Sequence, residues 1–408
     1  MKRILVSASL VVILLLMAAC QPVAVPVDGE AAGPQTYVLG VAQPFTGSLG
    51  SFGTDFGKGI ELAVEQMNTE LANAGSNIQF TIASADTEGT PDGAAKAVQS
   101  IVQTSGASVV VGPLTTGEVL GAKQYADDNN IVLVAPASSA PAGAIPGDNV
   151  FRVMYPPDTY ASNAFEQIAT ERGYQNIAML AVDDPFGNGM IESFTAGFQA
   201  AGGGEVAVVM YAPEPPDLTG EMAKLSSEVA RLQESGETAV LAVAFLGDGQ
   251  KALQIAVTDP VLGSVDWLGV ENLANPEILA DAGHAQFLKD VNFTSVSFAE
   301  SSTPNTQPFI DAFVAMHGSE PGPFTNYAYD AANIAMLSMV AADNSGPGVK
   351  SILPFIANHY IGTAVQTFLD ENGDQAIVNY GIYGVSDDLS EFVQIGTYDG
   401  STGQVTFE

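Results

Sequence analysis

The stretch SVVVGPLTTGEVLGAKQYADDNNIVLVA, residues 108–135, decides the fold. It begins with three consecutive valines, passes through a Gly/Pro/Thr loop, and runs as a mixed polar and apolar segment before ending in a second β-branched run, IVLVA. Short apolar runs without alternation read as strands buried on both faces. The segment between them is long enough for a crossover helix, so the two strands are parallel neighbours in a βαβ unit. The same grammar extends outward in both directions. Strands are expected at 37–42, 78–84, 108–112 and 131–135, with helices at 54–73, 91–103 and 117–128. In the first helix Ile60, Val64, Met67 and Leu71 recur at helical spacing. A Gly-rich loop is expected at 45–53.

After Phe151-Arg152-Val153 the pattern restarts. Helices are expected at 161–171, 189–201, 219–234 and 249–258, alternating with strands at 177–182, 206–211, 239–244 and 265–270. A further strand at 291–298, helices near 307–316 and 327–342, and short strands at 376–383, 392–398 and 404–407 should complete the two sheets. The chain has 408 residues, 47% of them apolar. That is more than one core usually supports, and enough to bury two. The fold class is α/β, with two Rossmann-like doubly wound parallel-sheet domains.

The formal net charge is −34, from 46 acidic and 12 basic residues. A field of that sign repels phosphate backbones and anionic headgroups, so nucleic acid is excluded as a partner. The single cysteine, Cys20, follows Met1-Lys2-Arg3, an apolar run over residues 4–17, Ala18 and Ala19. A short basic start, an apolar core too brief to span a bilayer and small residues before a cut describe a secretory signal over 1–19. LLLMAAC, residues 14–20, resembles the bacterial lipobox, with Met17 where Leu is commonest. The resemblance implies lipidation of Cys20. The plainer alternative is an ordinary signal peptide with an incidental cysteine. Residues 20–35 mix Pro, Gly, Ala and acidic side chains without periodicity and read as a flexible linker. The expectation is an exported, membrane-anchored protein facing the periplasm or the cell exterior.

In open parallel sheets, ligands bind where strands end and helices begin. Three such loops are rich in candidate groups: Gly112-Pro113-Leu114-Thr115-Thr116-Gly117-Glu118, Ala135-Pro136-Ala137-Ser138-Ser139-Ala140-Pro141, and Leu268-Gly269-Val270-Glu271-Asn272. The first two place hydroxyls and backbone N–H groups where a carboxylate could be held; as helix caps or turn residues Thr116 and Ser139 would be merely structural. Glu271 could pair with an ammonium group, or be one exposed carboxylate among many.

The segments GVAQPFTGSLGSFGTDFGKGIELAVEQMN, VVVGPLTTGEV, VLVAPASSAP, LAVDDPFGNGM and WLGVEN follow the order and intervals of type I periplasmic binding proteins that serve branched-chain amino acid transporters. This resemblance covers about residues 36–400. It implies a venus-flytrap pair of lobes joined by three crossovers, near Met154, at 298–300 and near Val365. Lobe one would then comprise 36–154 plus 300–365, and lobe two 155–299 plus 366–408. It implies that Thr116, Ser138 and Ser139 clasp a ligand carboxylate and Glu271 its ammonium. Phe52 and Phe186 match family aromatics over the ligand, although either could be core or turn packing. The loop Phe245-Leu246-Gly247-Asp248 departs from an aromatic pair common in amino-acid binders.

The implied partners are a branched-chain or related amino acid, an ABC permease, and the membrane through Cys20. A sensor, receptor or transporter lipoprotein of the same fold binding an amide, urea or aromatic acid is the alternative. Catalysis is not expected. His284, His317 and His359 are scattered, and no G-x-S-x-G, H-E-x-x-H or P-loop pattern occurs. No metal or cofactor is expected either.

Overall fold

A computed structural model describes residues 33–153, 158–298, 303–363, 367–376, 379–400 and 402–408. Its first sheet has five strands: β1 (Gln35–Gln43), β2 (Ile78–Asp86), β3 (Val109–Val111), β4 (Val132–Ala135) and β5 (Val150–Arg152), in the order β2-β1-β3-β4-β5. β3 and β4 are buried throughout, as their unbroken β-branched runs require, while the edge strand β2 buries only Phe80. Register is fixed by Leu39 opposite Val109 and Val109 opposite Val132, all parallel.

Helices α1 (Gly50–Asn73), α2 (Pro91–Ser105) and α3 (Thr116–Asp128) connect these strands. α1 begins at Gly50, inside the stretch read from sequence as a loop. Gly53 lies so close to Pro44 that a Cβ would stand 2.0 Å from that carbonyl oxygen. The glycine therefore serves close packing of the helix start on the preceding chain, not a loop.

The second sheet contains β6 (Asn176–Val182), β7 (Val206–Tyr211), β8 (Thr238–Val243), β9 (Asp266–Val270), β10 (Thr294–Phe298), β11 (Asn379–Val385), β12 (Phe392–Asp399) and β13 (Gln404–Phe407). Its order is β13-β12-β11-β10-β9-β8-β6-β7. The run β7-β6-β8-β9-β10 repeats the winding of the first sheet. The last three strands, expected to complete both sheets, join only this one, and do so antiparallel. β11 to β12 and β12 to β13 are joined by short hairpins, while β11 meets β10 only after the chain's return from α10 to α12.

Helices α4 (Asp158–Glu171), α5 (Pro185–Ala200), α6 (Thr219–Gln233), α7 (Leu246–Ala256), α8 (Pro276–Leu279) and α9 (Ala282–Asp290) belong to the second lobe. α10 (Thr306–His317), α11 (Thr325–Ala341) and α12 (Gly346–Ala357) return to the first. α11 is buried nearly all round, as a helix wedged between α1 and the sheet must be. The sequence reading places no helix over α12, whose Pro347 lies in the first turn, where no N–H is needed, and whose Pro354 lies inside the helix.

The chain thus passes between two α/β lobes three times. Met154, residues 299–300 and Val365, where crossovers are expected, lie outside the described residues. So do the signal segment and Cys20. Beyond Val365, Asp374 still bridges β5 at Arg152, and Gln375 donates its N–H to the Arg152 carbonyl at 2.9 Å. Among the described residues no helix is long and apolar enough to cross a membrane.

Candidate functional site

Both sheets reverse their winding beside their first strand, at β1/β3 in one lobe and β6/β8 in the other. The loops leaving these strands at their carboxyl ends face a shared cavity of about 50 Å³. From the first lobe come Leu49, Phe52, Phe56, Leu114, Thr115, Thr116, Ala137, Ser139 and Phe324; from the second, Phe186, Phe245, Glu271 and Asn272. Five of the six residues singled out from sequence therefore line one cavity: Thr116, Ser139, Glu271, Phe52 and Phe186. Ser138 is not among the lining residues. It is buried, with its hydroxyl 2.8 Å from that of Thr116.

The hydroxyl wall is held by the start of α3. Thr115, not Thr116, is the N-cap, and it forms a capping box with Glu118: the Glu118 N–H donates to Thr115 Oγ1 at 3.2 Å, and Thr115 N–H donates to Glu118 Oε2 at 2.8 Å. Such a cap is worth about 1 kcal/mol. Thr87 also donates to Glu118. Burial pushes the Glu118 carboxyl up, against the pull of the bonds from Thr87 and Thr115. Thr116 Oγ1 in turn accepts the Ala140 N–H at 3.0 Å, tying the 138–140 loop to the helix.

Arg152, 1% exposed, clamps the same loop from below. Its Nη1 donates to the Ala140 carbonyl at 2.7 Å, and its Nε donates to Asp374 Oδ1 at 2.6 Å, with Nη2 on the other carboxylate oxygen. The guanidinium thus joins the site loop to two chain segments beside the crossovers.

On the second lobe's wall, Phe186 and Phe245 stack at 5.7 Å between ring centroids; across from them Phe52 and Phe324 stack at 6.1 Å. Phe186 follows Asp184, the N-cap of α5, which accepts the Gly187 N–H at 2.9 Å. Burial raises the Asp184 carboxyl to about 6, against those backbone bonds. Glu271 is the one charged side chain among the described residues lining the cavity.

Asp158, at the start of α4, lies behind this wall. Its N–H donates to the Ser139 carbonyl at 3.0 Å, and its Oδ2 is buried without a hydrogen-bond partner. Burial first, then the Glu271 charge, pushes its carboxyl well above the usual range, while the Ser139 hydroxyl and Arg152 pull the other way. Sequence reasoning missed Asp158, because nothing local in PPDTY separates it from an ordinary helix-start acid. It also missed Phe324, whose φ of 62° in front of α11 sets its ring against Phe52. The turn residues Gly322 and Pro323 were the available signal there, but the left-handed conformation falls on a residue that disfavours it. Among the described residues no group of three His, Cys, Asp or Glu side chains could hold a metal ion.

The sequence pattern of the family described as Periplasmic binding protein matches residues 36–357. The chain is 26% identical over 352 residues to the Leu/Ile/Val-binding protein homolog 3 of Brucella melitensis, covering 85% of this chain and 90% of that relative. Its fold is similar to that of a leucine-binding protein from Thermotoga maritima, with a TM-score of 0.73 at 19% identity over 91% of this chain and 97% of the other. It is also similar to a solute-binding protein of an R. palustris ABC transporter in complex with benzoate, with a TM-score of 0.74 at 16% identity over 92% and 98% of the two chains.

Proposed function

This chain belongs to the periplasmic binding protein family, and on that premise we propose that its cavity takes a small zwitterion, a branched-chain or related amino acid. One observation carries the reading. The cavity has neutral hydroxyls at a helix start on one wall, one carboxylate on the other, and five phenylalanine rings lining both. The ligand carboxylate lies against Thr116, Ser139 and the N–H groups of Thr116 and Gly117 at the start of α3, the Glu118 N–H being taken by the cap. Its ammonium faces Glu271, and its apolar side chain packs among Phe52, Phe56, Phe186, Phe245 and Phe324.

Each lobe alone satisfies one end of such a ligand. Both ends are satisfied only when the lobes meet, so the ligand has differential affinity for the closed arrangement and shifts the population toward it. The protein is the exported, Cys20-anchored component that presents this closed form to an ABC permease. Solute binding rather than catalysis is the family's business.

The benzoate-bound relative and the phenyl-lined cavity favour a second reading, an aromatic acid. Glu271 weighs against it, since it sets a negative charge in the cavity beside a ligand that carries an anion and no cation. A thermal-shift panel on the purified protein separates the two: L-leucine, L-isoleucine, L-valine, L-phenylalanine, benzoate, acetamide and urea. At about 100 times its dissociation constant a true ligand adds roughly 2.7 kcal/mol of stability. A rise with an amino acid and none with benzoate is the expected result. A rise with benzoate, amide or urea alone would replace the ligand class, and no rise at all would sink the amino-acid reading. Delivery is checked by uptake of labelled leucine in cells lacking this chain, which should fall.

A further inference from the structure

At the cavity rim, the two lobes touch through a polar contact that involves none of the proposed ligand-binding residues. Glu214 lies in the second lobe's loop after β7, with a φ of 54°. Its Oε1 accepts both the Ser48 N–H at 2.8 Å and the Ser48 hydroxyl at 2.7 Å, from the first lobe's loop after β1. A Cβ on Gly47, where φ is 87°, would stand 2.9 Å from the same oxygen, and one on Gly89 would stand 3.5 Å from it. The carboxylate therefore sits in a notch between two turns of the first lobe. Gly47 leaves it room.

Both sides of the contact are braced within their own lobe. In the first lobe, Asp86 Oδ1 accepts the N–H groups of Phe45 at 2.9 Å and Glu88 at 2.9 Å, and its Oδ2 accepts the Thr46 hydroxyl at 2.7 Å. Partial burial works to raise this carboxyl, but the bonds from Thr46, Glu88 and Phe45 outweigh it and hold Asp86 below the usual range. In the second lobe, Lys251 of α7 donates to the Pro215 carbonyl at 2.8 Å, holding the residue after Glu214. The contact adjoins the cavity on both sides. Ser48 precedes Leu49 and Phe52 on one wall, while Gly247, which donates to the Ser48 carbonyl at 3.4 Å, follows Phe245 on the other.

We propose that Glu214 is a positioning residue for lobe closure: it engages the 46–48 loop only when the lobes meet, and so slows ligand escape without touching the ligand. The inference rests on the closure reading above. Charge-assisted bonds to an exposed carboxylate are modest, and their worth lies in being absent from the open state.

The test uses full-length protein with Cys20→Ser and spin labels at Gln99→Cys and Ser227→Cys, exposed helix positions on opposite lobes. Interlobe distance is measured with and without L-leucine, alongside leucine dissociation rates and melting temperature. Glu214→Ala should shift the distances toward the open form and speed dissociation by roughly 3–10-fold, with the ligand-free melting temperature unchanged. Glu214→Gln, which keeps an acceptor, should recover part of the effect. Ser48→Ala, which leaves its N–H, should do less, and should add little to Glu214→Ala. Unchanged distances in Glu214→Ala would overturn the proposal, as would additive effects or an equal loss of ligand-free stability. If L-leucine fails to bind even the unaltered chain, the ligand assignment fails separately, while the ligand-free distances still decide whether Glu214 favours closure.

Discussion

The cavity's two walls are built by the same winding of strands and helices, yet their polar groups do different things. In the first lobe Thr116, Ser138, Ala140 and Arg152 hydrogen-bond one another, so the hydroxyl wall is braced within its own lobe. In the second lobe the acids near the cavity are held in surroundings that disfavour their charge. Burial raises Asp184 and Asp248 to about 6, and Asp158 lies well above the usual range. One wall gives geometry. On the proposed reading the other gives charge discrimination, and its raised carboxyls cost stability that the native packing must offset.

The largest test of that contrast is Arg152→Ala. It leaves Asp374 buried without its guanidinium and the Ala140 carbonyl with only the Gly143 N–H, and should cost about 3–5 kcal/mol in urea denaturation. A loss under about 1 kcal/mol would show that the hydroxyl wall stands without its clamp. Next comes Glu271→Gln. Leucine affinity by calorimetry should fall about 10–100-fold, roughly 1.4–3 kcal/mol, with little change in melting temperature. Unchanged affinity would remove charge discrimination from the second wall.

Thr116→Val keeps the shape but deprives Ser138 and the Ala140 N–H of a partner, for about 1–2 kcal/mol of stability. The smallest expected effect is that of pH. Asp184 and Asp248 have folded values of about 6 against an ordinary 3.8. Raised carboxyls favour folding fully below the ordinary value, and that contribution is lost as pH rises through about 6. After discounting for solvent screening, the protein should be roughly 1 kcal/mol more stable at pH 5 than at pH 7.5. Asp248→Asn should flatten the profile, and a profile rising with pH would contradict the assignment.

Much of the fold was legible because parallel strands buried on both faces have no choice but to be β-branched and unbroken. VVV at 109–111 and VLVA at 132–135 carry that signal, as does AVLAV at 239–243. Glycine was misread where it serves packing, as at Gly53, because the sequence does not say whether a missing Cβ frees the backbone or makes room for a neighbour. The periodicity of the tail strands β11 to β13 spread them over both sheets, and only the family resemblance placed 366–408 in lobe two, since pairing partners far apart in sequence leave no local mark. For the site, the loops after β3, β4 and β9 were readable from their position behind strands. Phe324 and Asp158 were not, because each reaches the cavity region only through the chain's returns between lobes.

The sequence by itself determined two α/β lobes, an acidic surface and hydroxyl and carboxylate loops at strand ends, because those follow from local periodicity and composition. Tertiary structure alone decided that Ser138 stands behind Thr116 rather than in the cavity, that Arg152 joins the site loop to Asp374, and that Glu214 meets Ser48 across the rim. Those pairs are separated by 22, 222 and 166 positions. Contacts at such separations depend on how whole layers pack, and no local pattern of side chains encodes them.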